Sequence, residues 1–253
     1  MCIRDSFIVV YYAFTDRSGV FSLSNITALA DYKDTFIISV WYSVIATVIT
    51  LVIAYPFAYA LSRFGANTQR MMMLLVMLPM WMNLLIRTYS WMNILERNGI
   101  INNVLAGFGI EPLKMIGTPG AVILGMVYNY LPYMILPIYT VMSKLDITLL
   151  EAADDLGANA FQRLRTLVIP LSMPGVISGI TMVFVPSVST FYISQKLGGG
   201  KIMLIGDAIE RQIQQQYNYN LGASISLVLM VMILISMAIM NRFASDDAER
   251  LVV

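Results

Sequence analysis

One polar segment of this chain lies between two long apolar runs: residues 151–174 read EAADDLGANAFQRLRTLVIPLSMP. Thr148 and Glu151 have the T-x-x-E spacing of a capping box, in which a hydroxyl and a carboxylate satisfy free amides at a helix start. Gly157 stands where that helix should end, because glycine readily adopts the left-handed cap conformation. Asn159 can cap a second short helix. The segment therefore predicts two short helices joined by a turn.

The first of these helices is predicted to be amphipathic. Leu149, Ala153 and Leu156 fall on one face at helical spacing. Pro170 stands where the next apolar run begins. A small apolar face on a water-exposed knob is suited to docking into a groove of another protein.

The composition places the remainder of the chain in a membrane. Of 253 residues, 58% are hydrophobic and only 12% are charged, with a mean hydropathy of +0.73. Soluble domains carry about 25% charged residues. Because an apolar chain that crosses lipid must satisfy its own backbone, we predict an all-α integral membrane protein.

Several classes of function are excluded by the same composition. The net charge of +1 gives no basic footprint for nucleic acid. The sequence has no histidine, and Cys2 is its single cysteine. These counts rule out an internal disulfide, a His-dependent catalytic triad and most transition-metal sites.

Apolar runs long enough to cross a membrane, about 20 residues each, predict five spans. They lie near 35–61, 71–92, 119–142, 168–190 and 221–241, with the polar loop at 143–167. A shorter run, 7–14, follows the residues MCIRDS. We expect it to be the remainder of a truncated first helix behind six foreign residues, within a six-helix parent; a signal peptide is the alternative.

Polar and aromatic residues within and beside the spans are candidates for lining a translocation path. They are Trp81, Asn83, Tyr128, Asn129, Tyr130, Ser187 and Tyr192. An aromatic face can hold an ammonium group by cation–π attraction, whereas the alternative is an interfacial aromatic belt. No acidic residue lies well inside a span, which argues against proton coupling. Arg87 is expected near the outer end of its span, where it can snorkel to water.

The segment 193–220 predicts a further amphipathic helix. Its isoleucines, at 202, 205, 209 and 213, repeat every three or four residues. Asp207 and Glu210 lie off that stripe and could attract a cationic substrate, although the default expectation for both is solvated surface. The nearby Gly198–Lys201 run lacks the earlier glycine and the following Ser or Thr of a phosphate-binding loop, so ATP binding by that motif is excluded.

The polar loop resembles the EAA loop of permease subunits of binding-protein-dependent ABC importers. That family pattern is E-A-A, three residues, Gly, nine residues and I-x-L-P. The matching residues are Glu151, Ala152, Ala153, Gly157, Leu167, Ile169 and Pro170, with the apolar identities at the positions of Leu167 and Ile169 exchanged. The resemblance implies a type I ABC importer permease fold with this loop in the cytoplasm.

Most of the chain is similar to the permeases of spermidine/putrescine importers. The similar stretches are AYPFAYALSR (54–63), LPMWMNLLIRTY (78–89), LPYMILPIYTVMSKLD (131–146), PGVISG (174–179), FYISQKLGGGK (191–201) and LIGDAIERQ (204–212). Permeases for iron, sulfate and thiamine share much of this pattern and remain alternatives.

The resemblance also implies partners and a location. It implies a non-catalytic, multi-pass subunit of a bacterial cytoplasmic (inner) membrane. Two permeases, usually a heterodimer, would pair around a central path above two ATPase subunits that bind the ATP, and an extracytoplasmic binding protein would deliver the substrate. In this interpretation Glu151 and the Ala152–Ala153 face fit the ATPase groove, and Gly157 provides the turn. A sodium-coupled secondary transporter, which would work without an ATPase, is the rival from another class; the inverted repeats common in that class are not evident.

Overall fold

The chain is built from helices. The computed structural model describes residues 2–16 and 18–250, so Met1 of the predicted foreign start lies outside the described residues. The α-helices are α1 (Cys2–Ala13), α2 (Ser24–Ala28), α3 (Lys33–Ser62), α4 (Ala66–Met77), α5 (Leu84–Leu95), α6 (Ile100–Gly107), α7 (Pro119–Met142), α8 (Ile147–Asp155), α9 (Ala160–Arg163), α10 (Ile169–Val188), α11 (Tyr192–Leu197), α12 (Ile205–Glu210) and α13 (Tyr219–Arg250). Among the described residues, β-type pairing is limited to one isolated bridge between Thr15 and Phe21. The predicted all-α class is confirmed.

Within residues 2–16 and 18–250, four helical segments are long and apolar enough to cross a membrane. They are Ser24–Ser62, Pro119–Met142, Ala160–Val188 and Tyr219–Met240. A fifth is counted if the bent pair Ala66–Trp81 and Leu84–Gly107 is taken as one span. Helix α7 is the most enclosed, with 61% of its apolar window buried against 33% or less in the other three. It therefore supplies much of the internal packing surface.

The region predicted as a span over 71–92 is not one straight helix, because the chain breaks between α4 and α5 with a bend of 91°. A 3₁₀ turn, Leu78–Trp81, follows α4, and Pro79 near its start has no amide to continue a helical ladder. Met82 then adopts an extended conformation. The Asn83 side chain accepts a hydrogen bond from the Leu85 amide at 2.8 Å and so starts α5 as a new helix.

The break also changes the position expected for Arg87. Instead of snorkelling from the end of a straight span, Arg87 lies in the first turns of α5 with only 8% of its surface exposed. Its Nε and Nη1 atoms have no hydrogen-bond partner among the described residues. The expectation of a water-exposed guanidinium was therefore wrong.

One compact unit comprises Met1–Ala46, Asn83–Tyr128 and Val185–Ile235. Long-range polar contacts fasten its helices at their ends. The Ile205 amide at the start of α12 donates to the Ser39 hydroxyl of α3 at 2.8 Å. The Asn220 amide group near the start of α13 donates to the Thr15 carbonyl at 2.7 Å. Both side chains are buried, so these hydrogen bonds specify how the short helices sit on the long ones.

A second compact unit comprises Thr47–Met82, Asn129–Phe184 and Ser236–Val253. Within it the Tyr55 and Ser172 hydroxyls are 2.9 Å apart, and the Tyr139 hydroxyl donates to Gln69 at 2.9 Å. Each contact joins two helices through polar groups in an otherwise apolar interior.

The Gly175-x-x-x-Gly179 pattern packs α10 against α7 within this chain. A Cβ atom at Gly175 would lie 2.8 Å from the Pro137 carbonyl oxygen and 3.1 Å from the Ile138 Cα. At Gly179 the nearest atom would be the Met134 sulfur at 2.7 Å. These contacts place both glycines against α7 within this chain.

The two glycines should respond differently to substitution by alanine. Gly175→Ala is expected to destabilise the chain by about 1–3 kcal/mol, because a rigid backbone oxygen stands in the way of the new methyl group. Gly179→Ala should have a smaller effect, since the flexible Met134 thioether can move aside. Thermal unfolding of both variants in one detergent measures the difference. Equal losses, or a larger loss at Gly179, would contradict this packing.

Candidate functional site

The polar loop begins at a cap that differs from the predicted one. Helix α8 starts at Ile147, and the Asp146 carboxylate accepts the Thr148 amide proton at 3.0 Å. This hydrogen bond lowers the pKa of Asp146. The Thr148–Glu151 capping box was therefore wrong, because the helix starts before Thr148 and leaves that residue inside its first turn. Glu151 remains exposed on the surface.

The turn after α8 follows the predicted design. Gly157 adopts φ +78°, which is in the left-handed region. Its amide donates to the Asp154 carbonyl at 2.9 Å, and the Ala158 amide donates to the Ala153 carbonyl at 3.0 Å. This pair of hydrogen bonds is a Schellman motif, for which glycine is the preferred residue. The predicted helix end at Gly157 is confirmed.

The second arm of the loop is held by its own side chains. Asn159 accepts the Gln162 amide proton at 2.8 Å, and the Gln162 side chain accepts the Asn159 amide proton at 2.9 Å. Arg163 forms an ion pair with Asp154 across the turn, at 2.6 Å. Helix α9 then continues through a π-helical turn, Leu164–Val168, into α10. The predicted second short helix is therefore the start of a membrane-length helix rather than a separate element.

The surface of this loop presents apolar groups to the outside. Leu156 is 88% exposed, Phe161 is 69% exposed and Leu149 is 47% exposed. Ala153 is half-buried, while Ala152 and Pro170 are exposed. Leu150, outside the predicted set, supplies the buried contact of α8. Phe161 was missed in the sequence; its signal is an aromatic residue two positions after a capping Asn in a polar segment.

The candidate path residues in the spans separate into different environments. Trp81 is 80% exposed, and Asn83 caps α5. Tyr128 packs edge-on against Trp91 with ring centroids 5.2 Å apart, whereas Tyr130 is buried beside Tyr133. Asn129 and Ser187 are also buried. The structure thus gives Asn83 a structural role and leaves a path role for the others as a hypothesis.

The short helices α11 and α12 carry three of the candidates: Tyr192, Asp207 and Glu210. We use the name α11–α12 cluster for these three residues together with Gln195 and Lys196 of α11 and Tyr89 of α5. The Lys196 ammonium lies 5.2 Å from the Tyr89 ring centroid and 5.7 Å from that of Tyr192. The two rings meet edge-to-face at 6.1 Å. Both distances are within the range of cation–π attraction. Tyr89 and Lys196 were missed, although the Tyr192–Lys196 spacing of four residues signals a contact along a helix.

The two acidic residues of the cluster differ in environment. Glu210 is half-buried, and its carboxylate accepts hydrogen bonds from Gln195 at 3.0 Å and from Gln215 at 3.3 Å. Asp207 is buried and accepts the Leu204 amide proton at 2.8 Å. Solvated surface is therefore wrong for Asp207, because its carboxylate turns back onto the buried Leu204 amide at the start of α12. Burial raises the pKa of Asp207 to about 6, despite the opposing effect of Ser194 and Leu204.

A small cavity of about 160 Å³ adjoins both carboxylates. Gln195, Asp207, Glu210, Arg211 and Gln215 are among its lining residues. The carboxylates and amides of this lining favour a cationic group with hydrogen-bond donors, and the Tyr89 and Tyr192 rings separately contact the Lys196 cation. The cluster can therefore recognise an ammonium, and in this structure Lys196 supplies one.

The helical fold with membrane-length segments and an exposed helix–turn–helix defines a class, that of membrane-embedded transport permeases. Residues 35–245 match the family model described as "Binding-protein-dependent transport system inner membrane component". This chain belongs to that family and is a multi-pass inner-membrane protein. Membership also removes the secondary-transporter alternative.

Known proteins extend the comparison. The spermidine/putrescine transport system permease protein PotB of Haemophilus influenzae is 42% identical over 179 residues, which cover 68% of this chain and 63% of that protein. PotB of Escherichia coli is 38% identical over 197 residues, covering 76% of this chain and 72% of its own length. This chain therefore spans about two thirds of these relatives.

A solved structure supports the fold. The bacterial alginate ABC transporter, crystallised in complex with an alginate pentasaccharide-bound periplasmic protein, has a chain that matches with a TM-score of 0.76. The match covers 96% of this chain and 88% of that chain at 14% sequence identity. At this identity the likeness concerns the fold alone.

The pH dependence of stability should reveal the buried carboxyl. The pKa of Asp207 is raised in the folded state, so folding favours its neutral form, and stability is lost as the pH rises from about 4 through 6. Asp207→Asn keeps an oxygen for the Leu204 amide and removes the charge. It should stabilise the chain by about 1–2 kcal/mol at pH 8, with the gain vanishing near pH 4.

Thermal unfolding between pH 4 and pH 8 measures this gain. Asp155→Asn, at the exposed end of α8, controls for the loss of one carboxylate. A gain for Asp207→Asn that stays constant over the whole pH range would contradict the assignment.

Proposed function

We propose that this chain is the permease subunit of an ATP-driven importer that moves polyamines such as spermidine and putrescine inward. The observation that carries the substrate class is the 38–42% identity to two spermidine/putrescine permeases. Family membership makes the chain a transport component, and the cation-binding chemistry of the α11–α12 cluster is consistent with a polyamine.

The polar loop is proposed to couple the chain to a separate ATPase. Local hydrogen bonds and the Asp154–Arg163 ion pair hold its shape. Leu156 and Phe161 project into solvent, and a monomer gains nothing by exposing two large apolar side chains on one small knob. Ala152 and Gly157 leave room for close approach of a partner. ATP binding and hydrolysis then belong to the partner, and this chain is non-catalytic.

Substrate recognition is proposed to involve the α11–α12 cluster. A polyamine carries several ammonium groups separated by short apolar linkers, so it fits aromatic faces that alternate with carboxylates. Tyr89 and Tyr192 hold the Lys196 ammonium, and Glu210 is fixed by two amides. In this proposal a substrate ammonium replaces Lys196 at the two rings during passage.

The remaining partners are proposed from the same family. A second permease, related to this chain rather than identical to it, would complete the path. An extracytoplasmic binding protein would deliver the substrate, as the periplasmic protein bound to the alginate transporter suggests by analogy. Co-purification of the tagged chain, followed by mass spectrometry, identifies these subunits.

Removal of the exposed apolar groups should release the ATPase. Leu156→Ser combined with Phe161→Ser should reduce ATPase co-purification by roughly tenfold or more, because two buried apolar side chains contribute about 1.5–3 kcal/mol each to an interface. Membrane insertion should be unchanged, since both side chains are exposed. Phe108→Ser, an equally exposed aromatic site outside the loop, is the matched control. Full retention of the ATPase by the double variant would refute the docking role.

Substitution of the two tyrosines and substitution of Lys196 should have opposite effects on the KM for uptake. Tyr89→Leu with Tyr192→Leu should raise the KM for spermidine roughly threefold to tenfold by removing the cation–π faces. Lys196→Met should lower that KM, because the competing internal ammonium is gone. Arg63→Met is the matched control, since Arg63 lies 5.1 Å from the Tyr59 ring in a separate cation–π pair. Uptake kinetics in vesicles that are identical for all three variants would exclude the cluster from recognition while leaving the importer function intact.

A further inference from the structure

A cleft outside the α11–α12 cluster is lined by three cationic side chains. It has a volume of about 560 Å³, and Arg97, Lys114 and Lys201 lie in its lining with one carboxylate, Glu96. Among the described residues, no ion pair neutralises any of the three cations. The nearby positive charge of Lys201 lowers the pKa of Lys114, so the two ammonium groups lie close together at this cleft. This cleft therefore has an excess of positive charge.

Two walls of this cleft are held by one buried side chain. Asn102 is 1% exposed, and its amide nitrogen donates to the Glu96 and Leu113 carbonyls, each at 3.0 Å. Its carbonyl oxygen accepts the Leu113 amide proton at 2.8 Å. Because Glu96 adjoins Arg97 and Leu113 adjoins Lys114, this side chain fixes the backbone that carries two of the cations.

The third wall is fixed by a close approach of two glycines. The Gly117 amide donates to the Leu197 carbonyl at 2.8 Å. A Cβ atom at Gly199 would lie 3.3 Å from the Gly117 Cα, and one at Gly117 would lie 3.7 Å from the Lys201 side chain. Lys201 is thereby held over the cleft. The positive charges are preorganised rather than scattered on mobile loops.

Helix α6, which Asn102 ties to the Glu96 and Leu113 backbone beside the cleft, also carries an exposed apolar face. On helix α6, Ile100 and Val104 are exposed, and Phe108 follows one turn later with 80% exposure. Asn102 lies on the opposite, buried side of the same helix. A helix with one apolar exposed face beside cationic residues is suited to lie in a membrane–water interface. Free phosphate would make no use of that face, whereas a phospholipid has acyl chains to cover it and a phosphate for the cations.

We propose that this cleft binds the phosphate headgroup of an anionic phospholipid, with the lipid acyl chains against the exposed face of α6. Arg97, Lys114 and Lys201 hold the phosphate, and Ile100, Val104 and Phe108 contact the chains. The charge complementarity commits the site to an anionic lipid over a zwitterionic one. The assignment does not rest on which solute is transported.

Lipid binding to the detergent-purified full chain, with its bound subunits, tests the site. The probes are phosphatidylglycerol, phosphatidylcholine and inorganic phosphate, and native mass spectrometry counts the bound lipids while thermal unfolding reports stabilisation. Phosphatidylglycerol should bind saturably and more tightly than phosphatidylcholine. Lys114→Gln with Lys201→Gln should weaken phosphatidylglycerol binding by roughly tenfold or more, since each cation near a lipid surface contributes a factor of about five.

Two further variants test whether the loss of lipid binding is specific to the cleft cations and whether the apolar face of α6 also contributes. Lys33→Gln removes an exposed lysine outside the cleft and should bind lipid like the unmodified chain. Val104→Ser with Phe108→Ser should weaken binding of phosphatidylglycerol without changing any response to inorganic phosphate. Equal binding of the two lipids, or full retention by the double lysine variant, would overturn the proposal. Stabilisation by inorganic phosphate alone, equal to that by phosphatidylglycerol, would assign the cleft to a free anion instead.

Discussion

The satisfaction of backbone amides at helix starts is the constraint on which this structure depends. A chain in lipid has no water to hydrogen-bond a free amide, so every interruption of a helix needs a local substitute. Asn83, Asp146, Asn159 and Asp207 each accept a backbone amide proton through a side-chain oxygen at or beside such an interruption. These polar side chains let an apolar chain stop, turn and restart, and the two candidate functional regions are built at the turns they permit.

The two candidate functional regions are shaped by contacts of different range along the sequence. The polar loop is shaped by contacts within about twenty consecutive residues, from the Asp146 cap to the Arg163 ion pair. The α11–α12 cluster depends on residues far apart in the chain, since Tyr89 lies on α5 and Lys196 on α11. A single helix of 29 residues, Ala160–Val188, connects the loop to the segment that carries α11.

Sequence patterns predicted the features that short-range physics controls. The lengths of the apolar runs indicated the membrane helices, and Gly157 indicated the turn because few other residues tolerate its φ of +78°. The break at Asn83 was missed because the apolar composition continues across it, and only Pro79 signals an interruption. The pairing of Tyr89 with Lys196, the burial of Arg87 and the cationic cleft could not be predicted, since each results from tertiary packing that brings together positions with no sequence spacing in common.

For the ATPase-docking role proposed above, the Schellman turn at Gly157 bears on the speed and reversibility of the transport cycle. Because its two hydrogen bonds, the Asn159–Gln162 pair and the Asp154–Arg163 ion pair are all internal, the loop needs no partner to define its conformation. Association with another subunit then orders few backbone dihedrals, and the entropic penalty of binding is confined mainly to exposed side chains and rigid-body freedom. A loop whose conformation is preformed can dissociate from its partner subunit and rebind in each turnover without a folding step.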